Sequence, residues 1–479
     1  MSHVRRVLGG AGGLVLMALA ASGVVVAQAY DLAVVGGRVM DPASGLDAIR
    51  TVAIADGQIA ALVEGSVDAS EIVDASGLVV APGFVDLHAH GQDLFSATLQ
   101  VQDGVTTALE LEGGAWPVAD WYTQREGHAI IHFGASVSHG SVRRAAMGVD
   151  ADSRYQPAST DEVQEIRRLV ERGIDEGALG IGYGLAYYPG SSRDEIFRLF
   201  ELAQTHDVVN FVHIRGAGRQ LSLGSVDGVQ EMIAAAASSG AAVHIVHIGS
   251  SGLTSVETLL DMIGGAQSRG LDVTTEVYPY TAASTGIGAA IFDPGWREQL
   301  GADFGDIEWV ETGERLTAET FAMRRQEGGV IIAHIIPEET VETALADPTV
   351  IVASDGVPFV NGRAHPRGAG TFARVLGRYV RERGTLTLME ALGKMTLMPA
   401  RRLEAWVPQM RTKGRIRVGA DADLTMFDPE TVIDRATFAE PAQPSVGIPN
   451  VVVAGTVVVR DGAVVDGVFP GQPIRRTLD

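Results

Sequence analysis

Valine-rich stretches broken by glycine and aspartate open the chain beyond residue 30, at Leu32–Val39, Thr51–Ala55 and Gln58–Leu62. The same punctuation returns at Ala422–Phe427, Asn450–Val453 and Thr456–Val459. Both ends therefore predict short strands, the two halves of one small β-sandwich covering 30–81 and 406–479. Between them, apolar runs alternate with amphipathic segments, which is the rhythm of parallel βα units. The helix after Ser159-Thr-Asp-Glu162 illustrates it, with a capping-box sequence ahead of Val163, Ile166 and Val170 on one face. Strands are expected at 80–90, 106–113, 129–139, 178–187, 207–216, 241–250, 272–281 and 348–356. That count predicts an α/β chain folded as a (β/α)8 TIM-type barrel over 82–405. From 286 to about 329 the rhythm gives way to Gly, Pro, Trp and charge, read as an inserted lid. No repeat or low-complexity tract interrupts the rest.

Composition narrows the function. Of 479 residues, 46% are apolar and 20% charged, enough for a large core plus a smaller unit. Residues 1–29 read as an export signal: Arg5-Arg6, an uncharged stretch from Val7 to Val26, and Ala27-Gln28-Ala29 as a cleavage site before Tyr30. The alternative is an uncleaved anchor, since about 20 uncharged residues can span a bilayer. With no cysteine after the apolar stretch, a lipoprotein is excluded. The paired arginines are an incomplete echo of a twin-arginine signal, and the expected location is periplasmic or secreted. The formal charge of -22 becomes -24 once the two leader arginines are gone. Such a surface repels nucleic acid and anionic membranes, leaving a small molecule as the expected partner and no stable membrane insertion after cleavage. There is no thiol, and the only lysines are Lys394 and Lys413. Oligomeric state has no signature in the sequence.

The chemistry is expected at the C-terminal ends of the strands. His88 and His90 close the first strand, and strand alternation points both imidazoles the same way, as a metal site needs. On the second strand, alternation places Glu110 and Glu112 inward and Leu109 and Leu111 outward; two inward carboxylates need a cation or protons. They could equally form a structural polar network. Further along, Phe211, His213 and Arg215 share a face, as do Ile245, His247 and Gly249, while His244 falls an odd step away and is expected to face the helices. Asp355 ends the eighth strand on the face of Ala353. Alone it could be a turn former; completing a His-x-His, Glu, His, His, Asp series, it reads as the base that holds the attacking water.

At this point the residues resemble a known family over nearly the whole mature chain. The segments Pro82-Gly-Phe-Val-Asp-Leu-His-Ala-His90, Gly104-Val-Thr-Thr107, Gly177-Ala-Leu-Gly-Ile-Gly182, Val277-Tyr-Pro-Tyr-Thr281, Ala353-Ser-Asp-Gly356, His365-Pro-Arg367 and Gly419-Ala-Asp-Ala-Asp-Leu424 are similar to those of the amidohydrolase superfamily. Within it they resemble the D-aminoacylases, or N-acyl-D-amino-acid deacylases. The resemblance implies one or two zinc ions at His88, His90, His213 and His247, other divalent metals being possible, with Asp355 as general base and then acid in hydrolysis of an N-acyl, expectedly D-, amino acid. Cyclic-amide opening or dipeptide cleavage in the same superfamily is the alternative, and a non-catalytic solute-binding barrel a further one.

Two departures from the family stand out. Where the family usually has a strand-two cysteine, this chain has Leu-Glu-Leu-Glu-Gly-Gly, so a carboxylate must substitute. A carboxylated-lysine bridge is closed, because no lysine precedes Lys394. Glu112 is favoured as the ligand, lying nearer the barrel rim, with Glu110 beneath it as support. Second, Ile248-Gly249-Ser250 stands where the deacylases tend to carry a lysine for the substrate carboxylate. Arg215, Arg363 or Arg367 then takes that role, or the substrate differs. Tyr187, Tyr278 and Tyr280 at strand tips are further substrate-binding candidates, as is His139 with Arg143. His365 is expected to shape a loop, and Glu276 to face inward as support or substrate contact.

Overall fold

Gly83 is where the chain changes sheets. The expected single strand over 80–90 is instead two, Val79–Pro82 and Phe84–Asp86. Between them the Gly83 amide donates to the Asp423 carbonyl at 2.8 Å. A Cβ here would collide with the Thr106 side chain, so only glycine lets the backbone pass. The computed structural model describes residues 30–148, 151–218 and 224–476; the leader and its cleavage site lie outside the described residues.

Val79–Pro82 belongs to a nine-stranded sheet assembled from both chain ends. Its antiparallel partner is Leu424–Phe427, with Leu424 opposite Pro82 and Phe427 opposite Val79. Phe84–Asp86 begins the barrel. The remaining strands follow in chain order as Val105–Ala115, His132–Ser138, Gly180–Gly184, Val209–His213, Val243–Ile245, Val273–Val277 and Val350–Val352, all parallel. The barrel closes by a parallel bridge between Ala89 and Gly356. Across the same seam the buried Asp86 carboxylate accepts from the amides of His88 at 3.1 Å and Ser354 at 3.0 Å. That fixes the two strand tips that carry His88, His90 and Asp355.

The helix Thr160–Asp175 forms as its sequence predicts. The Ser159 hydroxyl accepts from the Glu162 amide at 3.4 Å while the Glu162 carboxylate accepts from the Ser159 amide at 2.7 Å. Val163, Ile166 and Val170 are buried against the barrel, each worth about 1.5–3 kcal/mol on burial. Inside the barrel, Leu109 and Leu111 pack with Val209, Phe211 and Ile351 over Leu403 and Met410, which close the bottom. The second strand therefore does not follow the expected alternation, since its leucines face inward.

The interrupting segment has a sheet of its own. Ala283–Gly286 and Val330–Ala333 pair antiparallel and, with Ile307–Trp309 and Glu314–Arg315, make four strands. Trp296 and Phe321 stack beneath them, their rings 5.2 Å apart. No helix among the described residues is long and apolar enough to cross a membrane.

Both lysines are buried, each with two hydrogen-bond partners. Lys394 donates to the carbonyls of Asp347 and Val350. Lys413 bonds Asp421 at 2.9 Å and Asp423 at 2.7 Å, and Asp423 in turn meets His132 Nε2 at 3.0 Å at the start of the third barrel strand. Burial alone would raise the Asp423 carboxyl, but Lys413 and His132 outweigh it and hold it well below the ordinary carboxylate range. A depressed folded-state pKa stabilises the fold above that range, and the stabilisation is lost as pH falls through it. Asp423→Asn should therefore cost about 3 kcal/mol at neutral pH, because it leaves the buried Lys413 ammonium with Asp421 alone and His132 without its carboxylate. Denaturant midpoints at pH 7 and pH 3 check this: the deficit should shrink at the lower pH, and an equal deficit at both would refute the assignment.

Candidate metal centre and substrate cavity

Each first-strand imidazole is aimed by a carboxylate behind it. His88 Nδ1 meets Glu276 Oε1 at 2.6 Å and His90 Nδ1 meets Glu110 Oε1 at 2.8 Å. With Nδ1–H donated to a carboxylate, each Nε2 can offer a lone pair once its own proton is given up, and the two Nε2 atoms face one another at 3.1 Å. Two lone pairs that close call for a cation between them. Asp355 Oδ1 lies 3.3 Å from His88 Nε2 and 3.5 Å from His90 Nε2. Glu112 Oε2 lies 3.5 Å from His90 Nε2, and His88, His90 and Glu112 converge closely enough to share one ion.

A second imidazole pair stands opposite. His213 Nδ1 and His247 Nε2 are 3.1 Å apart, and Glu112 Oε1 lies 3.7 Å from the former. Glu112 thus spans the pairs, one oxygen toward each. Its Oε1 is buried with no hydrogen-bond partner among the described residues. An orphaned carboxylate oxygen between imidazole pairs fits a metal ion, and imidazole with carboxylate is a donor set suited to zinc and its neighbours. Protonation follows the same geometry. Burial opposes charge on His88 and His90, yet Asp355 and Glu276 raise His88 to about 9 and Glu110 raises His90 well above its ordinary value. Burial instead pushes His213 well down and His247 to about 4, and lifts Glu112 to about 7.

The strand tips are bent to reach the centre. His247 and Asp355 both hold left-handed backbone, with φ of 36° and 50°. Non-glycine residues adopt it at a cost of about 1–3 kcal/mol, and such strain gathers at functional sites. The bend at His247 also corrects the expected placement of His244. Ile245 packs outward, while His244 points into the barrel, bonding Glu276 Oε2 at 3.0 Å and Thr274 Oγ1 at 2.8 Å. Alternation counted back from His247 fails because the strand ends at Ile245. Glu276 is thereby support: His244 holds it, and it holds His88. On the second strand, the register against the third slips between Glu110 and Ala115. Across that slip Glu112 enters the centre and Glu110 stays beside His90 Nδ1.

A cavity of about 420 Å3 opens over the centre. Asp355, Tyr187, Tyr278 and Arg367 line it, with Phe292 and Ile335 contributed by or beside the inserted segment. Burial would raise the Asp355 carboxyl, but Arg367 and His88 hold it well below the ordinary range, so it is ionised. Arg367 donates to Asp355 Oδ2 at 2.9 Å and lies 4.6 Å over the Tyr278 ring. Although only 1% exposed, it has no partner for Nε or NH1 among the described residues, and neither has the Tyr278 hydroxyl. Tyr187 packs its ring 4.7 Å from that of His213.

Four expected residues lie elsewhere. Tyr280 is turned away because the chain folds back after the seventh strand, its amide donating to the Tyr278 carbonyl; its hydroxyl faces Asp434 at 3.4 Å. His139 is locked beneath the surface between Glu195, at 2.8 Å, and Tyr183. Arg215 pairs with Glu231 at 3.0 Å and lines a neighbouring cavity. Arg363 donates outward to the Ala439 carbonyl. His365 shapes its loop as expected, receiving the Arg367 amide at 3.1 Å.

A parallel barrel gathering these imidazoles and carboxylates at its C-terminal rim is a metal-binding hydrolase of carbon–nitrogen bonds. The match to the amidohydrolase family runs over residues 71–459, and the chain belongs to that family. It is 32% identical to N-acyl-D-glutamate deacylase of Alcaligenes xylosoxydans xylosoxydans, over 90% of this chain and 94% of that protein. To the D-aminoacylase of the same organism it is 30% identical, over 94% of this chain and 98% of the other. The crystal structure of N-acyl-D-glutamate deacylase from Bordetella bronchiseptica, complexed with zinc and a phosphonate inhibitor, superposes with a TM-score of 0.81 at 28% identity. It covers 94% of this chain and 100% of that one.

Proposed function

We propose that the protein hydrolyses the amide bond of N-acyl D-amino acids with zinc at the His88, His90, Glu112, His213 and His247 cluster. The observation that carries this reading is the pair of unpartnered donors on Arg367 with the free Tyr278 hydroxyl, beside the metal ligands and Asp355. A buried guanidinium with open N–H groups is costly until an anion fills them. The α-carboxylate of an acylated amino acid is such an anion, so Arg367 takes over the task of the lysine absent after His247. That the deacylase relatives act on N-acyl D-amino acids supports the D configuration.

When bound, a divalent ion supplies Lewis acidity and a more acidic water. The residues do the rest. Arg367 and Tyr278 anchor the carboxylate; the Tyr187 hydroxyl is placed to donate to the scissile carbonyl; Asp355 takes a proton from the attacking water and returns it to the leaving nitrogen. Phe292 and Ile335 exclude bulk water and receive the side chain. Hydrolysis of paired N-acetyl-D and N-acetyl-L amino acids, with a hydantoin and a dipeptide beside them, tests the reading; preference for either of the last two overturns it.

Arg367→Met should cut kcat/KM by about 100-fold or more for an N-acyl amino acid, the expected cost of a buried charged contact. It should leave hydrolysis of the matching N-acyl amine, which lacks the carboxylate, changed far less. Equal losses for both would mean that Arg367 acts only through Asp355. We also propose export: the Arg5 to Ala29 leader supports it, and N-terminal sequencing of the mature protein should begin at Tyr30.

A further inference from the structure

Beside His213 the metal-site cavity adjoins a second one of about 430 Å3, and His213, Ala217 and Ile291 line both. Arg367 and Tyr278 stand after the seventh and eighth strands. The second cavity lies on the opposite side, between the segments that follow the fourth and fifth. In an N-acyl amino acid the attacked carbonyl sits between the α-carbon and the acyl tail. A substrate with its carboxylate on Arg367 and its carbonyl at the centre must send that tail toward the second cavity.

The walls there have two characters. Leu185, Ala186 and Pro189 give an apolar face. Donors line the rest: Arg193, Arg215, Gln299 and Ser191. Arg215 spends its Nε on Glu231 and its NH2 on the Ser191 carbonyl, so the Ser191 backbone is pinned while NH1 has no partner among the described residues. The Ser191 hydroxyl, in a residue only 3% exposed, has no partner among the described residues. Arg193 reaches the same rim from the first turn of the helix Arg193–Thr205, largely exposed, with Glu231 at 4.0 Å from its Nε and its other donors turned to solvent. The one carboxylate on this wall, Asp293, is already bound by Arg325 at 2.5 Å.

We propose, resting on the deacylase reading above, that this second cavity is the subsite for the acyl tail and selects tails that end in a carboxylate or carbonyl, such as a succinyl group, over acetyl and over plain alkyl chains. The short apolar stretch carries the methylenes and the donor wall meets the terminal acceptor.

The test compares kcat/KM for the N-acetyl, N-butyryl, 4-methylpentanoyl and N-succinyl derivatives of one D-amino acid. The succinyl compound should exceed the acetyl and both alkyl compounds by about tenfold, the scale of one good charged contact. Ala186→Phe, which fills the apolar face, should remove the succinyl advantage while the N-acetyl rate holds. Arg193→Gln, on the exposed rim, should lower only the succinyl rate, by about three- to fivefold. Equal rates for succinyl and the alkyl tails, or an advantage that survives both substitutions, would overturn the assignment with N-acetyl hydrolysis intact. Absence of hydrolysis for every N-acyl amino acid would overturn the deacylase reading and this one with it.

Discussion

Asp355→Asn is expected to lower turnover by about 100-fold or more while metal content stays unchanged, since a positioned general base contributes about 10²–10⁴ to rate. The substitution keeps the shape and leaves an oxygen that still accepts from Arg367, now 2.9 Å away. What it removes is the charge that receives the proton. Asp355 stands within 3.5 Å of both His88 and His90 Nε2 yet is also bound by Arg367, so its carboxylate is ionised before substrate arrives. The loss should fall on kcat more than on KM. Metal analysis alongside single-turnover rates checks it: a near-normal rate would move the proton to another group, and loss of metal with rate would make Asp355 a ligand first.

The second large effect separates the two glutamates of the second strand. Glu112→Gln should release metal and reduce activity by about 100-fold or more, because Glu112 alone spans both imidazole pairs with one oxygen toward each. Glu110→Gln should retain metal with affinity reduced by about 10- to 100-fold, since Glu110 acts through His90 Nδ1. Metal content after dialysis against a weak chelator decides between them; loss in the Glu110 variant alone would reverse the roles. Uptake of metal by the stripped protein should also release protons and strengthen as pH rises toward about 9, where the His88 imidazolium yields its proton.

The composition of this centre was readable from the chain, and its wiring was not. His88 and His90 share a face through simple alternation, and His213 lies inward with Phe211 for the same reason. Alternation fails where backbone leaves the strand. The left-handed turn at His247 sends His244 inward, the slip after Glu110 divides two glutamates that strict pleating would stack, and the fold-back at Tyr280 removes it from the cavity. His139 and Arg215 were strand-tip candidates of the right type, but Glu195 and Glu231 claim them, and a partner 56 or 16 residues away leaves no local signature. The open donors on Arg367 are a property of the assembled cavity and have no sequence counterpart.

The burial of Lys394 and Lys413 has a practical consequence for handling the enzyme. Neither ammonium is more than 4% exposed, and no other lysine occurs in the chain. Amine-directed reagents should therefore couple to the folded protein through its α-amine alone, giving one attachment point and a single orientation on a surface. Acylation of Lys394 would then report opening of the barrel, and that of Lys413 opening of the sheet built from the chain ends, without any engineered probe.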